Sequence, residues 1–173
     1  MYHRKIGQNS QNLLAYLRNA MRMKTVSTSG WEKVLLAFLI VASAIEFVES
    51  GYEGIKQILA ILFGVSLPGT TFLDPIIAIV AVAASALVVV GAVLRWRGRD
   101  YHVSPLLLGF GLFIFRGVFE ILAEILAMKS AYATITERHI EQLASGIGDD
   151  LLEIAIWILL LLYFSRKRIA KSE

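Results

Sequence analysis

The sequence contains no cysteine. Disulfides, thiolate metal sites and cysteine nucleophiles are therefore excluded, although the redox compartment is left open. Histidine is scarce as well: His3, His102 and His139 are so placed that no two could sandwich a haem at one level of a helical assembly. A zinc-protease H-E-x-x-H and a phosphate-binding loop are missing. Gly109 and Gly111 would need a third glycine at 114 for a dinucleotide fingerprint, and Ile114 stands there. No serine has the companions of an acyl-transfer site. These absences argue against an enzyme, with lipid chemistry on carboxylates as the residual case, and no cofactor is expected.

Charge is also thin. Charged residues make up 18% of the chain, whereas soluble domains carry about 25%. What replaces them is apolar: 57% of the residues are hydrophobic and the mean hydropathy is +0.65. The apolar residues form long blocks that a chain of 173 residues would struggle to bury in water. An integral membrane protein is expected. Its first thirty residues are polar, so targeting should fall to the first span rather than to a cleavable signal peptide.

Residues 11–24, QNLLAYLRNAMRMK, put Leu13, Leu17, Ala20 and Met21 at helical spacing with Arg18, Arg22 and Lys24 largely off that stripe. This suits an amphipathic helix in the membrane interface, its bases facing anionic headgroups; a solvated helix packed on the rest of the protein is the alternative. STSG (27–30) reads as a linker. A first span begins near Lys33 and extends to about 53, and ILAILFGVSL (58–67) either continues it past a bend near Gly51–Gly54 or lies in the interface. The second span, about 75–95, has Asp74 as a plausible N-cap and Pro75 as its first residue. Its small residues, Ala78, Ala81 and Ser85 among them, predict a packing face, and Gly109 in the third span is expected to serve the same purpose. The third span, about 105–128, repeats the signal with Ser104 and Pro105. Thr134 and Glu137 match a capping box for a short helix over roughly 135–144, ended by Ser145–Gly148. A fourth span follows at about 150–165. The expectation is an all-α integral membrane protein: four transmembrane helices in a bundle over 31–173, preceded by a cytoplasmic amphipathic segment, 1–30.

Thirteen of the seventeen Lys and Arg residues fall on one side of this scheme, at the two ends and in the 95–103 loop. The positive-inside rule then places both termini in the cytoplasm of a cell-membrane protein. It also explains the pI of about 9.3 without a nucleic-acid partner.

Arg116, Glu120 and Glu124 interrupt the third span. Helical rise places Arg116 about 18 Å from the cytoplasmic end, and Glu46 and Glu153 about 20 Å from it. Three helices thus bring ionisable groups to nearly one level. The series Arg116, Glu120, Glu124 and the series Glu46, Glu49, Glu53 each line one helix side. A charge at the bilayer centre costs at least about 2.5–3.5 kcal/mol, so these faces should turn inward and pair. One reading makes Arg116 with Glu46, Glu120 or Glu153 a structural ion-pair core, in a non-enzymatic accessory subunit or homo-oligomer. The alternative uses the surplus carboxylates, including Glu49, Glu124, Asp149 and Asp150, as the mouth of a cation or proton channel or transporter; Asp149 and Asp150 also suit helix capping. Oxygen ligands of this kind suit hard ions such as magnesium, calcium or manganese.

Several features run in a familiar order over roughly 33–171. Acidic residues sit late in the first span (Glu46, Glu49), then comes the basic, aromatic turn RWRGRDYHVSPLLLGF. A third span follows with its arginine in IFRGVFEIL, and the tail is YFSRKRIAKSE. In this the chain resembles the phosphate-starvation-inducible E (PsiE-like) family of small four-span prokaryotic membrane proteins. The second span here lacks the acidic residue expected in that family. The resemblance implies no enzymatic activity and a structural role for Arg116.

Overall fold

The computed structural model describes residues 23–25, 28–65, 71–101, 104–131 and 137–169. Their elements are strand β1 (Met23–Thr25), helix α1 (Gly30–Leu62), helix α2 (Asp74–Trp96), strand β2 (Arg99–Tyr101), helix α3 (Pro105–Ala131) and helix α4 (Glu137–Ile169). The elements among the described residues are thus helices apart from one short antiparallel ladder, in which Met23 faces Tyr101 and Thr25 faces Arg99. Met23 and Lys24 accordingly lie in a strand rather than at the end of an interfacial helix, whose remaining residues fall outside those described.

Three helices, Gly30–Leu62, Asp74–Trp96 and Pro105–Lys129, are long and apolar enough to cross a membrane, and the chain is a membrane protein. In α4 the uncharged stretch from Ile154 to Ser165 is 12 residues, short of the ~20 that span a bilayer unaided.

Helix α1 starts earlier than the hydropathy suggests. Ser29 is its cap: the Ser29 Oγ accepts a hydrogen bond from the Glu32 N–H at 3.3 Å. The helix then runs unbroken through Gly51 and Gly54 to Leu62, so residues 58–62 continue the first span. It stops where Gly64 takes φ +65, a left-handed cap that costs glycine nothing. Asp74 does not cap α2. Its carboxylate accepts from the Thr71 N–H and the Thr71 hydroxyl, both at 2.8 Å, and so fastens the preceding turn. Ser104 contributes only its carbonyl to α3, accepting from the Leu108 N–H at 3.1 Å; its buried hydroxyl has no partner among the described residues. Thr134, the proposed cap of a short helix, lies outside the described residues, and Ser145–Gly148 do not end one. Helix α4 is continuous through both glycines. Isolated glycines weaken a helix by only about 1 kcal/mol each.

Each helix packs on the next, and contacts show that they alternate in direction. Glu32 of α1 meets Arg95 near the end of α2, while Gly54 faces Ala78 near its start. Gly91 of α2 lies against Leu106, and Gly109 against Ala84 and Val88. On α3, Phe113 stacks on Trp157 of α4 with ring centroids 4.2 Å apart, Phe110 meets Phe164, and Gly117 meets Ile154. Residues from all four helices share one hydrophobic core, centred on Leu36, Val88, Phe110 and Phe164.

The glycines are not equivalent. A Cβ on Gly91 would sit 2.3 Å from the Leu106 backbone nitrogen, whereas a Cβ on Gly111 would meet nothing within 4 Å. Gly91→Ala is therefore expected to force α2 and α3 apart at a cost of about 1–3 kcal/mol. Gly111→Ala should instead stabilise α3 by roughly 0.5–1 kcal/mol. Paired thermal unfolding of the two variants in one detergent checks both signs.

Candidate functional site

Two ionic assemblies stand at different levels of the helices. The first stands at the end where α1 starts. Glu32 follows its cap by three residues, the spacing of a capping box, yet its carboxylate turns into the protein. Arg95 Nε donates to Glu32 Oε1 at 2.6 Å and Lys167 Nζ donates to Glu32 Oε2 at 2.6 Å. The Glu32 and Arg95 side chains are only 1% and 3% exposed. The Arg95 guanidinium lies 4.9 Å from the centre of the Phe164 ring, so an aromatic face covers it. The hydrogen bond to Glu32 raises the Lys167 ammonium above its ordinary pKa, against the burial that opposes it. The sign for a raised lysine is that its contribution is complete below the ordinary lysine value and fades only as pH climbs through the raised one. Lys167 is thus charged at neutral pH.

The second assembly is built around Arg116, midway along α3. Its Nη1 pairs with Glu46 of α1, and its Nε donates to Glu120 Oε1 at 2.7 Å, one turn further on. Glu46 also accepts from the Ser50 hydroxyl at 2.6 Å. Beyond this pair an open cavity of about 510 Å³ extends towards the far end of the helices. Seven carboxylates line it (Glu46, Glu49, Glu53, Asp74, Glu120, Glu124 and Asp150), and Arg116 is the one cation among the lining residues. Ile77, Ala78, Ala81, Ala123 and Ala127 supply apolar wall.

Of the residues expected to gather here, Arg116, Glu46, Glu49, Glu120 and Glu124 do line one space, and Asp150 joins them from α4. Asp149 is exposed and outside the lining. Glu153 also stays outside it, and its Oε1 accepts from the Trp157 indole N–H at 2.9 Å. Asp149, Asp150 and Glu153 all stand well inside α4, so none of them caps a helix. The small residues pack within the chain: Ala81 and Ser85 are buried on α2, and Gly109 brings α3 onto its backbone.

The vestibule is under-neutralised. Glu124 Oε2 and Asp150 Oδ2 are buried without a hydrogen-bond partner among the described residues. Gly146 makes the placement of Glu124 possible, since a Cβ there would lie 2.6 Å from Glu124 Oε1. Its carboxylate rests against α4 where any other residue would displace it. No group of three or more His, Asp or Glu among the described residues is arranged to hold a metal ion. The carboxylates ring a volume instead of converging on a point.

No family model, curated protein or solved structure matches this chain.

Sequence reasoning missed the Glu32 triad. The depth comparison that linked Arg116, Glu46 and Glu153 was available for it. Glu32, Arg95 and Lys167 each sit at the end of an apolar helix on the same side of the scheme. Read as boundary charges, they pass for anchors.

Proposed function

We propose that this is a four-span cell-membrane protein that binds cations, protons included, in the acidic vestibule and passes them along an Arg116-gated path between its helices. The observation that carries this is the charge ratio of the lining: seven carboxylates face one guanidinium in an open cavity. A structural ion pair needs one carboxylate, or two for an arginine. Glu53 pairs with Lys56, and the remaining four have no ion-pair partner among the described residues, so an exchangeable counter-ion is their natural neutraliser. The fourth span is α4, its short uncharged stretch covered on one side by α3 through Phe113–Trp157. The basic residues gathered with the start of α1 put that end, and both termini, in the cytoplasm beside anionic lipid. The vestibule then opens to the outside.

A second reading, an accessory subunit or homo-oligomer of the PsiE-like kind with no transport activity, is favoured by one observation. Arg116 ties α1 to α3 through Glu46, as a purely structural pin would. The triple variant Glu49→Gln, Glu124→Gln, Asp150→Asn separates the two, because it leaves both Arg116 pairs intact. Under the transport reading it abolishes proton and cation flux in proteoliposomes. It also raises the melting temperature, since like-charge repulsion among the lining carboxylates is relieved. Each 1 kcal/mol gained should appear as roughly 2–4 °C. Native protein that neither binds nor passes mono- or divalent cations would leave the structural reading in possession.

A further inference from the structure

The vestibule is a slot rather than a bowl. Its lining runs from Glu46 to Gln57 on α1 and from Arg116 to Ala127 on α3, about 16 Å of helix in each case. Its volume of about 510 Å³ is that of a small-molecule site, which commonly measures ~300–1,000 Å³. One wall is apolar, made by Ile77, Ala78 and Ala81 of α2 with Ala123 and Ala127 of α3.

The polar part of the lining is short of hydrogen-bond donors. Its two hydroxyls are spent, Ser50 donating to Glu46 and Thr71 to Asp74. Arg116 is committed to Glu46 and Glu120. Three further acceptors, Gln57 Oε1, Glu124 Oε2 and Asp150 Oδ2, are wholly buried and have no partner among the described residues. They come from three different helices, and all three residues line the slot. A buried acceptor without a donor is costly, so a matching occupant brings N–H or O–H groups as well as positive charge.

These acceptors do not share one level. Arg116 and Glu46 are paired and mark the inner end. Glu49 is three residues beyond Glu46, about 4–5 Å outward. Glu124 is eight beyond Arg116 and Gln57 eleven beyond Glu46, about 12 and 16 Å outward. Gly146 meets Glu124 and Ile154 meets Gly117, which puts Asp150 between the two levels. A bare metal ion cannot reach both, and no group of three or more His, Asp or Glu among the described residues is arranged to hold one. A hydrated ion gains nothing from the alanine wall, and water brings donors without charge. An aliphatic chain with an ammonium group at each end supplies all three: charge and N–H donors at both levels, and methylenes for the apolar wall between.

We propose that the vestibule binds a linear di- or polyamine, one ammonium beside Glu49 and another at the level of Glu124 and Gln57. The proposal rests on the vestibule being a cation site and narrows its ligand.

Binding is read by titration calorimetry on the full-length protein in phosphatidylcholine nanodiscs, a lipid with no N–H of its own. The probes are cadaverine, spermidine, pentylamine and magnesium. Pentylamine is cadaverine without its second ammonium, and magnesium carries the charge of cadaverine at a single point. The expected result is several-fold tighter binding of cadaverine and spermidine than of the other two. Glu49→Gln, Glu124→Gln and the charge-neutral Gln57→Leu should each weaken cadaverine several-fold. The ranking on the native chain needs no variant, so a variant that fails to fold does not spare the proposal. Magnesium binding as tightly as cadaverine means that charge alone fills the slot, and pentylamine doing so means that one ammonium suffices; either overturns the proposal and leaves the cation site standing. Cadaverine binding that no variant weakens lies elsewhere and overturns it equally. If no amine binds the proposal falls, while the cation reading falls with it only if magnesium binding and proton flux are absent too.

Discussion

Glu32→Ala is expected to cost about 3–5 kcal/mol of folded stability, the penalty for removing one partner of a buried ion pair. Arg95 loses its Nε partner where its side chain is 3% exposed, so water cannot take the place of Glu32. Phe164 covers the guanidinium but offers no acceptor. Lys167 loses its bond too, but at 35% exposure it recovers solvent. Thermal unfolding in detergent should fall by roughly 6–20 °C at ~2–4 °C per kcal/mol for a chain of this size. Replacing all three members together (Glu32→Leu, Arg95→Met, Lys167→Met) should recover most of that loss, because a buried ionic set exchanged for apolar side chains of similar volume is close to neutral. Lys56→Ala supplies the scale, since its pair with Glu53 is about half exposed on both sides and is worth at most about 1 kcal/mol. An unchanged melting temperature for Glu32→Ala would remove the triad from the account of stability.

Arg116→Leu is expected to cost less in stability, about 1–3 kcal/mol, and to have the larger effect on function. The Arg116, Glu46 and Glu120 side chains are 15%, 28% and 22% exposed, so the cavity can solvate the carboxylates left behind. Adding Glu46→Gln and Glu120→Gln to the variant should return most of the lost stability while flux stays abolished. That non-additivity is the signature of one coupled network. The comparison between the two arginines is decisive. If Arg116→Leu destabilises as strongly as Glu32→Ala, the vestibule is a structural pin and its carboxylates are incidental.

The path from sequence to site was uneven, for physical reasons. The spans of α2 and α3 were legible because proline at the first turn and uninterrupted apolar runs mark them locally. The gathering of Arg116, Glu46 and Glu120 was legible because helical rise converts residue number into depth, and depth is shared between neighbouring helices. The continuity of α4 was not legible. Ser145–Gly148 has the composition of a break, and only the approach of Glu124 to Gly146 explains why glycine is used there inside a helix. The caps misled in the same way. Asp74 and Ser104 stand at the right positions, but Asp74 turns to Thr71 and the Ser104 hydroxyl finds no partner among the described residues. Glu32 was hidden by a different rule: a charge at the boundary of a span is normally solvated, and nothing local distinguishes one that turns inward to meet residues far along the chain.

The separation between those partners has a consequence for how the protein is made. Glu32 waits 63 residues for Arg95 and 135 for Lys167. Throughout synthesis of the second and third helices the first one carries an acid that lacks its full set of bases. Helix α2 removes part of that deficit with Arg95, and α4 completes it with Lys167. Glu32 thus records progress through synthesis: in a chain that stalls before α4 its carboxylate lacks the Lys167 ammonium.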